Sequence, residues 1–373
     1  MIYADHAATT MLLPAALEAM LPFLQTEYGN ASTLYSLARK PKKAIAAARA
    51  AIAKCIGAEP EEIFFTSCGT ESDNWALKGT AFRFPRQKKR IITSGIEHHA
   101  VLHSCAFLEK MGYDVVYLPV DEKGLVSPED LEKAINEDTI LVSIMMANNE
   151  IGTIEPINEL AEVAHKYGIL FHTDAVQAVG HIPINVNDLF VDMLSASAHK
   201  FNGPKGIGFL YLRKKMPLLN LLDGGAQECG HRGGTENVAS IVGMAEALKF
   251  NVENMRQHIE HLRNLQQVFI SELDKYGFDF VLNGAENRIP GSLSISFLNK
   301  EGEAILHRLD LMGVAVTTGS ACNSKETVTS HVLKAIALPE TLAKGTVRFT
   351  FGFENTEEEV KYVANCVAKI LKL

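Results

Sequence analysis

Short apolar segments alternate with helical patterns from about Leu13 to Phe250, and this alternation constrains the fold more than any other feature of the chain. The segments that we predict as strands are 63–66, 90–93, 114–118, 139–144, 168–173 and 191–196. Helical patterns lie between them; one covers 38–56 and stops at Gly57, and another covers 156–167. Strands separated by helices are typical of a mostly parallel sheet with helices on both faces. We therefore predict an α/β fold for this part.

The pattern changes after a long predicted helix at 251–276. Two alternating strands, 293–297 and 346–350, and two helices, 301–311 and 356–371, belong to this second part. Such an arrangement is typical of a smaller α+β domain. For a chain of 373 residues, we predict a large domain at 13–255 and a small domain formed by 1–12 and 256–373.

Composition and charge argue against several classes of protein. Hydrophobic residues make up 47% and charged residues 21%, which is ordinary for a soluble globular protein. The net charge of -8 argues against a nucleic-acid partner. The N-terminus lacks the pattern of a signal peptide, and no apolar stretch approaches the roughly 20 residues that span a bilayer, so we expect no membrane association. The six cysteines are scattered without zinc-like spacing, which predicts reduced thiols in a cytoplasmic protein and no metal site.

Lys200 follows the predicted strand at 191–196, in a short segment that also contains Ser197 and His199. Placing an amine at the end of a buried strand is costly unless its charge is neutralised or paired. Condensation with an aldehyde cofactor would neutralise it as a Schiff base, and Asp174 upstream could pair with the ring nitrogen of pyridoxal phosphate (PLP). The alternative is an ordinary surface lysine, and the presence of Asp174 and Gln177 favours the cofactor.

Further polar residues follow other predicted strands. Gly69 and Thr70 stand at a strand-to-helix turn, where free amide groups can cradle a phosphate, although the same residues can simply cap a helix. His98 follows the strand at 90–93 and could stack on a flat ring and move protons, or be a plain loop residue. Asn149 follows the strand at 139–144, and the carboxyl ends of strands meet at one edge of the sheet. Its alternative is an Asn-rich turn.

Two candidates lie in the C-terminal part. Cys322 stands in a run of small residues at 317–324, which favours an exposed, movable thiol over a buried structural cysteine. Arg348, on the alternating strand at 346–350, is a candidate bidentate clamp for a carboxylate; its alternative is a surface salt bridge.

Together these motifs resemble the class V PLP enzymes, and specifically the NifS/IscS-like cysteine desulfurases. The matching segments run nearly end to end, at 3–10, 29–30, 65–72, 97–98, 148–152, 174–177, 197–200, 203–206, 232–235, 319–322 and Arg348. The resemblance implies the type I PLP-dependent transferase fold, with a large domain around a mostly parallel seven-stranded sheet and a smaller α+β domain.

The resemblance also implies a role for each residue. Lys200 would bind the cofactor and move protons, Asp174 would hold the ring nitrogen protonated, His98 would stack on the ring and Gln177 would contact the ring oxygen. Asn149 and Arg348 would hold the substrate carboxylate. Cys322 would take sulfur from L-cysteine as a persulfide, releasing L-alanine. The phosphate would be bound by Gly69, Thr70, Ser197, His199 and, from the neighbouring subunit of a homodimer, Thr235. The sulfur would pass to an iron–sulfur scaffold or another acceptor protein, for iron–sulfur cluster assembly or thio-modification.

This chain departs from the family pattern at two positions that bear on function. Tyr35 stands where the family has a histidine, and Cys229 stands where it has an arginine, in a loop that leads to Thr235. We hypothesise that Cys229 is a second sulfur carrier or replaces Cys322 as the attacking thiol; the alternative is a neutral substitution.

Other functions stay open on the sequence alone. A selenocysteine lyase or a cysteine/cystine lyase of the same family would share the ring chemistry. A non-catalytic partner of a sulfur scaffold would not need Lys200, Asp174, Cys322 and Arg348 together. A nucleotide-binding α/β protein lacks support, because no Walker or GxGxxG motif follows a strand.

Overall fold

The computed structural model describes residues 1–84, 89–216, 218–319 and 329–372. The predicted sulfur-accepting residue Cys322 lies outside the described residues. Within the described parts of the chain, every helix is too short or too polar to traverse a lipid bilayer.

Strands and helices alternate through most of the described chain. The strands are β1 (Ile2–Tyr3), β2 (Ile63–Thr66), β3 (Arg90–Ser94), β4 (Asp114–Leu118), β5 (Thr139–Ser143), β6 (Leu170–Asp174), β7 (Met193–Ser197), β8 (Gly208–Leu212), β9 (Phe280–Asn283), β10 (Ser292–Phe297), β11 (Val314–Ala315) and β12 (Thr346–Thr350). The helices are α1 (Pro14–Gln25), α2 (Arg39–Ile56), α3 (Gly69–Arg83), α4 (His99–Lys110), α5 (Pro128–Ala134), α6 (Ile157–Lys166), α7 (Val238–Glu253), α8 (Met255–Asp274), α9 (Gly302–Leu311), α10 (His331–Ala335), α11 (Glu340–Ala343) and α12 (Glu357–Leu371).

The main sheet of the described chain has seven strands in the order β2-β8-β7-β6-β5-β3-β4. Its strands run parallel except β8, which pairs antiparallel with both β2 and β7. The predicted fold class is therefore confirmed, with one antiparallel strand that the sequence reading omitted. All residues of β5, β7 and β8 are buried, as expected for strands covered by helices on both faces.

Helix α2 shows how the covering layers form. Ile45, Ala48, Ile52 and Ile56 recur at helical spacing and are buried against the sheet. Fully burying a side chain such as Ile52 stabilises the fold by about 1.5–3 kcal/mol. The helix ends at Gly57, whose φ of 71° is left-handed and suits glycine, so the predicted glycine cap is confirmed.

A second, antiparallel sheet has the order β12-β10-β9 and packs with α8, α9 and α12 around a separate hydrophobic core. The single long helix predicted at 251–276 is instead two helices, α7 and α8, which meet at Asn254. Asn254 leaves the helical conformation with φ -103° and ψ 5°, and its side chain donates to Phe250 O at 2.8 Å, which ends α7. The predicted boundaries of the two domains stay a prediction.

The N-terminal segment connects the two sheets. Strand β1 pairs with β11, and Ala4 joins the core of the second sheet. The chain then crosses to the end of β7, where Thr10 N donates to His199 O at 2.9 Å. As a result, residues 4–10 pass beside the carboxyl ends of the parallel strands, where α/β sheets bind their ligands.

Candidate active site

A cavity of about 400 Å³ opens at the carboxyl ends of β3, β5, β6 and β7. The predicted site residues that line it are Gly69, Thr70, His98, Asn149, Asp174, Gln177, Ser197, His199, Lys200 and Arg348. They come from separate strand ends and, for Arg348, from β12 of the second sheet. The structure thus brings together in space what the sequence spreads over nearly 280 residues, from position 69 to position 348.

Lys200 stands at the end of a single 3₁₀ turn, Ala198–Lys200, directly after β7. Its Nζ donates hydrogen bonds to Ala7 O at 2.6 Å and Ala8 O at 2.9 Å. The residue is half-buried rather than fully desolvated, and the two carbonyl groups of the N-terminal segment hold its amine at the wall of the cavity. Gln177 Nε2 donates to the same Ala7 O at 2.9 Å.

Asp174 ends β6 and is buried, with 4% of its surface exposed. Its Oδ1 accepts a hydrogen bond from Val176 N at 2.9 Å. Burial raises the pKa of Asp174, while nearby His98 and Lys200 act in the opposite direction. A carboxylate in this position can pair with a protonated ring nitrogen inside the cavity.

His98 caps the N-terminus of α4, where its Nδ1 accepts a hydrogen bond from Ala100 N at 3.1 Å. Burial is the main cause of the lowered pKa of His98, although Asp174 opposes it. The neutral imidazole therefore dominates near pH 7 and, with Nδ1 accepting, carries its proton on Nε2.

Another part of the cavity lining is suited to an anion. Gly69 begins α3, a helix of 15 residues, and its amide belongs to the unsatisfied first turn. A Cβ on Gly69 would approach Val176 Cγ2 to 2.5 Å, so only glycine lets the backbone come this close. Ser197 Oγ is buried and has no hydrogen-bond partner among the described residues.

His199 stands beside this cradle. Its Nδ1 lies 3.1 Å from Thr9 Oγ1, which leaves Nε2 for another partner. Burial is the first cause that lowers the pKa of His199 to about 4, followed by Lys200 and Lys205. At neutral pH the ring is uncharged and serves as a hydrogen-bonding group rather than a cation.

Arg348 is buried, so it is not the surface salt bridge of the alternative reading. Its Nη1 donates to Asn149 O at 2.7 Å, and its Nη2 donates to Asp5 Oδ1 at 2.7 Å. Its Nε is buried and has no partner within the described chain. The guanidinium is thus fixed at the wall of the cavity and retains N–H groups for a carboxylate.

The loop that carries Cys229 and Thr235 lies elsewhere. Thr235 lines a separate cavity of about 230 Å³ with Phe65, Ser67 and Arg232. Arg232 forms an ion pair with Glu71 at 2.9 Å, which fastens this loop to the first turn of α3. Cys229 is exposed, and it lines neither of the two cavities.

Tyr35, the other departure from the family pattern, is exposed as well. Its hydroxyl accepts a hydrogen bond from Asn30 N at 3.3 Å. The functional hypothesis for Cys229 stays a prediction, because nothing in its surroundings tests it.

Three buried carboxyl groups at the cavity were missed by the sequence reading. They are Asp73 of α3, Glu97 after β3 and Glu150 after β5. Glu97 and Glu150 are adjacent to His98 and Asn149, so proximity in sequence was an available signal. Asp73 follows Gly69 by four residues and shares the buried face of α3 with Leu77, so a charged residue on an apolar face was the signal there.

Comparison with known proteins places these residues in a family. The sequence profile of the family described as "Aminotransferase class-V" matches residues 2–363. The chain is 53% identical over 372 residues to "Cysteine desulfurase IscS" of Dictyoglomus turgidum, an alignment that covers 100% of this chain and 94% of the relative.

Two solved structures are also similar. One, described as "NIFS-LIKE PROTEIN", has a TM-score of 0.94 and 41% identity, covering 100% of this chain and 99% of the other. Another, described as "SspA in complex with cysteine", has a TM-score of 0.86 and 38% identity, covering 95% of this chain and 100% of the other. The chain belongs to the class-V aminotransferase family and, within it, to the IscS/NifS-like cysteine desulfurases.

Proposed function

We propose that this protein is a PLP-dependent cysteine desulfurase, which converts L-cysteine to L-alanine and leaves the sulfur as a persulfide on Cys322. The observation that carries the proposal is one cavity in which a lysine amine, a buried carboxylate and an anion cradle stand at separate walls. A similar solved structure, 38% identical, is described in complex with cysteine, which supports L-cysteine as the substrate.

The cavity fits the cofactor. Ser197 Oγ is a buried hydroxyl with no partner among the described residues, at the free amide groups of Gly69 and Thr70, and a phosphate would satisfy both. His199, neutral at pH 7, would donate to the same phosphate. Asp174 would face the ring nitrogen, Gln177 would contact the ring oxygen, and His98 would lie against the ring. When bound, PLP supplies an electron sink for bonds at the α-carbon of the substrate.

The side chains supply the proton movements. Lys200 Nζ would be the amine that holds the cofactor, and as a free amine it would take and return the proton at the α-carbon of the substrate. Asp174, as a carboxylate, would keep the ring nitrogen protonated. His98, whose Nδ1 accepts from Ala100 N, would carry its proton on Nε2 and would pass it to the substrate.

Arg348 and Asn149 position the substrate. The guanidinium is held by Asp5 Oδ1 and Asn149 O, so little side-chain entropy is lost when it binds the carboxylate of L-cysteine. Asn149 lines the same cavity and would add an amide hydrogen bond.

Cys322 completes the reaction as we propose it. As the thiolate, its Sγ attacks the sulfur of the substrate, the new S–S bond forms and the Cβ–S bond breaks. The electron pair of the broken bond stays on Cβ, which gains a proton and becomes the methyl group of alanine. The persulfide would then pass to an iron–sulfur scaffold or another acceptor protein.

We also propose a homodimer in which Thr235 serves the cofactor of the neighbouring subunit. The support is that Thr235 and Lys200 line two different cavities of the same chain. Ser32 Oγ donates to Glu236 at 3.2 Å, which joins the Thr235 loop to a surface rich in exposed apolar side chains. Residues 11–34 expose the apolar side chains of Met11, Leu17, Leu21, Leu24, Tyr28 and Leu34, and a large exposed apolar area is typical of protein interfaces.

The test is an assay of the purified protein with L-cysteine. We expect a bound chromophore that borohydride fixes to Lys200, and equal amounts of alanine and sulfide in the presence of a reductant. Lys200→Ala should abolish both chromophore fixation and turnover, and Cys322→Ser should keep the chromophore and lose sulfide. Pyruvate and ammonia in place of alanine would instead indicate a lyase. If Cys322→Ser were fully active and Cys229→Ser were inactive, Cys229 would be the attacking thiol.

A further inference from the structure

The loop between β3 and α4, which leads to His98, is tied to the neighbouring strand β5 by a side chain. The last backbone pair of these two parallel strands is Thr93 with Ser143. Two residues past the end of β5, Met145 N donates a hydrogen bond to Glu97 Oε1 at 2.8 Å. The carboxyl group of Glu97 therefore continues the connection between the two strands beyond their last backbone pair.

Three further hydrogen bonds hold the same loop. Ser94 Oγ, at the end of β3, donates to Glu97 Oε1 at 2.7 Å. Asn148 Nδ2 donates to Ile96 O at 2.9 Å, and His331 Nε2 donates to Glu97 O at 3.0 Å. Position 97 is thus fixed through both its side chain and its backbone, immediately before the histidine that lines the cavity.

The segment that Glu97 binds also contacts the strand end of Asp174. Met146 N, one residue after Met145, donates to Asp174 O at 2.8 Å. One ring nitrogen of His98 and one carboxyl oxygen of Asp174 lie within 4.8 Å of each other. Joining Glu97 to Met145 therefore fixes the loop of His98 relative to Asp174, across a single peptide unit of the chain.

Glu97 is a costly residue at this position. It is 0% exposed, and its Oε2 has no hydrogen-bond partner among the described residues, which costs free energy. Burial raises the pKa of Glu97 well above its usual range; hydrogen bonds from Ser94 and Met145 lower it, and Asp174 and Glu155 raise it further. Both bonds to Oε1 need only an acceptor oxygen, which a neutral carboxyl or amide group also provides.

We infer that Glu97 is a positioning residue for His98: by joining the β3–α4 loop to the end of β5, it sets the imidazole against the cofactor ring that Asp174 would bind. The inference rests on the proposed function, because the placement of His98 affects the reaction only if a ring binds in the cavity. Glu97 acts through His98 and not through a bond to the substrate.

The dissociation constant of pyridoxal phosphate tests this role. Glu97→Met keeps the length of the side chain and loses the acceptor, so the dissociation constant should rise by about three- to tenfold, the effect of a lost hydrogen bond. Glu97→Gln keeps an acceptor oxygen at the same distance along the side chain, so its dissociation constant should stay within about twofold of the wild type.

Glu155→Met is the matched control. Glu155 is also buried, with 4% of its surface exposed, and its Oε2 accepts a backbone hydrogen bond from Val126 N at 2.9 Å. It does not line the cavity that contains Lys200. Glu155→Met should lower the midpoint of thermal unfolding, as Glu97→Met does, and leave the cofactor dissociation constant unchanged.

A double-mutant cycle separates positioning from a general structural role. His98→Ala removes the imidazole, so adding Glu97→Met to it should raise the cofactor dissociation constant by less than about twofold further. The visible circular dichroism of the bound cofactor, which depends on the orientation of the ring, should change in Glu97→Met and stay the same in Glu155→Met.

Three results would overturn the inference. One is the same rise in the dissociation constant with and without the imidazole of His98. The second is an equal effect of Glu97→Gln and Glu97→Met, and the third is an unchanged circular dichroism spectrum in Glu97→Met. If Glu97→Met fails to fold, Glu97→Asp takes its place in the cycle, because it keeps the carboxyl group and is one methylene too short to reach Met145 N.

The same titrations distinguish the inference from the proposed function. A wild-type protein that takes up no pyridoxal phosphate would overturn the proposed function and the inference with it. A wild-type protein that binds the cofactor, together with independent effects of Glu97→Met and His98→Ala, would overturn the inference alone.

Discussion

Individual side chains at this site owe their properties mainly to burial. Asp73, Glu97 and Glu150 are carboxyl groups with less than a tenth of their surface exposed, while His98 and His199 have lowered pKa values for the same reason. Burial of this kind favours the protonated form of a carboxyl group and the neutral form of an imidazole. At Asp174, the nearby His98 and Lys200 oppose this effect.

Glu150 gives the clearest dependence of stability on pH. Burial raises its pKa to about 7, although a hydrogen bond from Ser330 and the charge of Arg348 lower it. The unfolded chain releases this proton near its ordinary pKa of 4.5, and the folded protein keeps it until about pH 7. Below pH 4.5, ionisation of Glu150 therefore takes nothing from the free energy of unfolding. Between pH 4.5 and about pH 7 this free energy falls by about 3 kcal/mol, and above pH 7 the loss stays constant.

Chemical denaturation of the cofactor-free protein at pH 5 and pH 8 measures this effect. Glu150→Gln cannot ionise at this position. From pH 5 to pH 8, the free energy of unfolding of the wild type should therefore fall by about 2.5 kcal/mol more than that of Glu150→Gln. Glu159→Gln, on the exposed face of α6, is the control and should follow the wild type. A Glu150→Gln variant with the same pH dependence as the wild type would contradict the prediction.

At the scale of elements, the loop at 224–237 depends on an ion pair. Arg49 of α2 donates to Glu228 at 2.7 and 2.8 Å, and Glu228 Oε2 also accepts Phe65 N of β2 at 2.9 Å. Glu228 and Cys229 have φ values of 46° and 56°, a left-handed conformation that non-glycine residues adopt only under constraint. The pair therefore holds the Thr235 loop in an otherwise unfavourable shape.

Removing one member of this pair should be costly. Glu228→Ala leaves Arg49 largely buried without its carboxylate, and we expect a loss of about 3 kcal/mol in the free energy of unfolding together with weaker cofactor binding. Glu27→Ala, which breaks the exposed Lys40–Glu27 pair, should cost less than about 1 kcal/mol. Thermal unfolding and a cofactor titration measure both effects. Equal losses of unfolding free energy in Glu228→Ala and Glu27→Ala would show that the buried Arg49–Glu228 pair stabilises the fold no more than an exposed ion pair does.

Some of these elements could be predicted from the sequence and others could not. The strand ends that carry His98, Asn149, Asp174 and Lys200 could be predicted, because parallel strands separated by helices place their carboxyl ends along one edge. Strand β8 was not predicted, and its direction could not have been assigned either, since a fully buried strand has the same apolar composition whether it is parallel or antiparallel. Asp73 was missed because, although a charged residue on an apolar helix face is unusual, its position in α3 alone does not show that it lines a cavity formed by distant strand ends.

At the scale of the whole molecule, the proposed homodimer predicts that an active site is shared between two chains. Lys200→Ala should inactivate one chain, and Thr235→Ala should weaken the phosphate site of its partner. A mixed dimer of the two variants would then contain one site with both changes and one site with neither.

Co-expression of the two variants with different tags allows the mixed dimer to be purified and assayed. We expect about half of the wild-type activity per dimer, well above that of the Lys200→Ala dimer and that of the Thr235→Ala dimer. If Thr235 instead served its own chain, each site of the mixed dimer would carry one of the two changes. The activity of the mixed dimer would then be no higher than the average of the Lys200→Ala and Thr235→Ala homodimers. That result would remove the support for a shared site.

The path of the N-terminal segment has a consequence for biosynthesis. Ala7 and Ala8 hold the amine of Lys200, but the segment that carries them is anchored by β11 and by Thr350, whose backbone N donates to Ala4 O at 2.8 Å. A nascent chain on the ribosome thus contains Ala7, Ala8 and Lys200 long before β11 and Thr350, which anchor the segment. The cavity around the Lys200 amine therefore reaches its folded form only after the last strand, β12, has been translated, when the polypeptide is nearly whole.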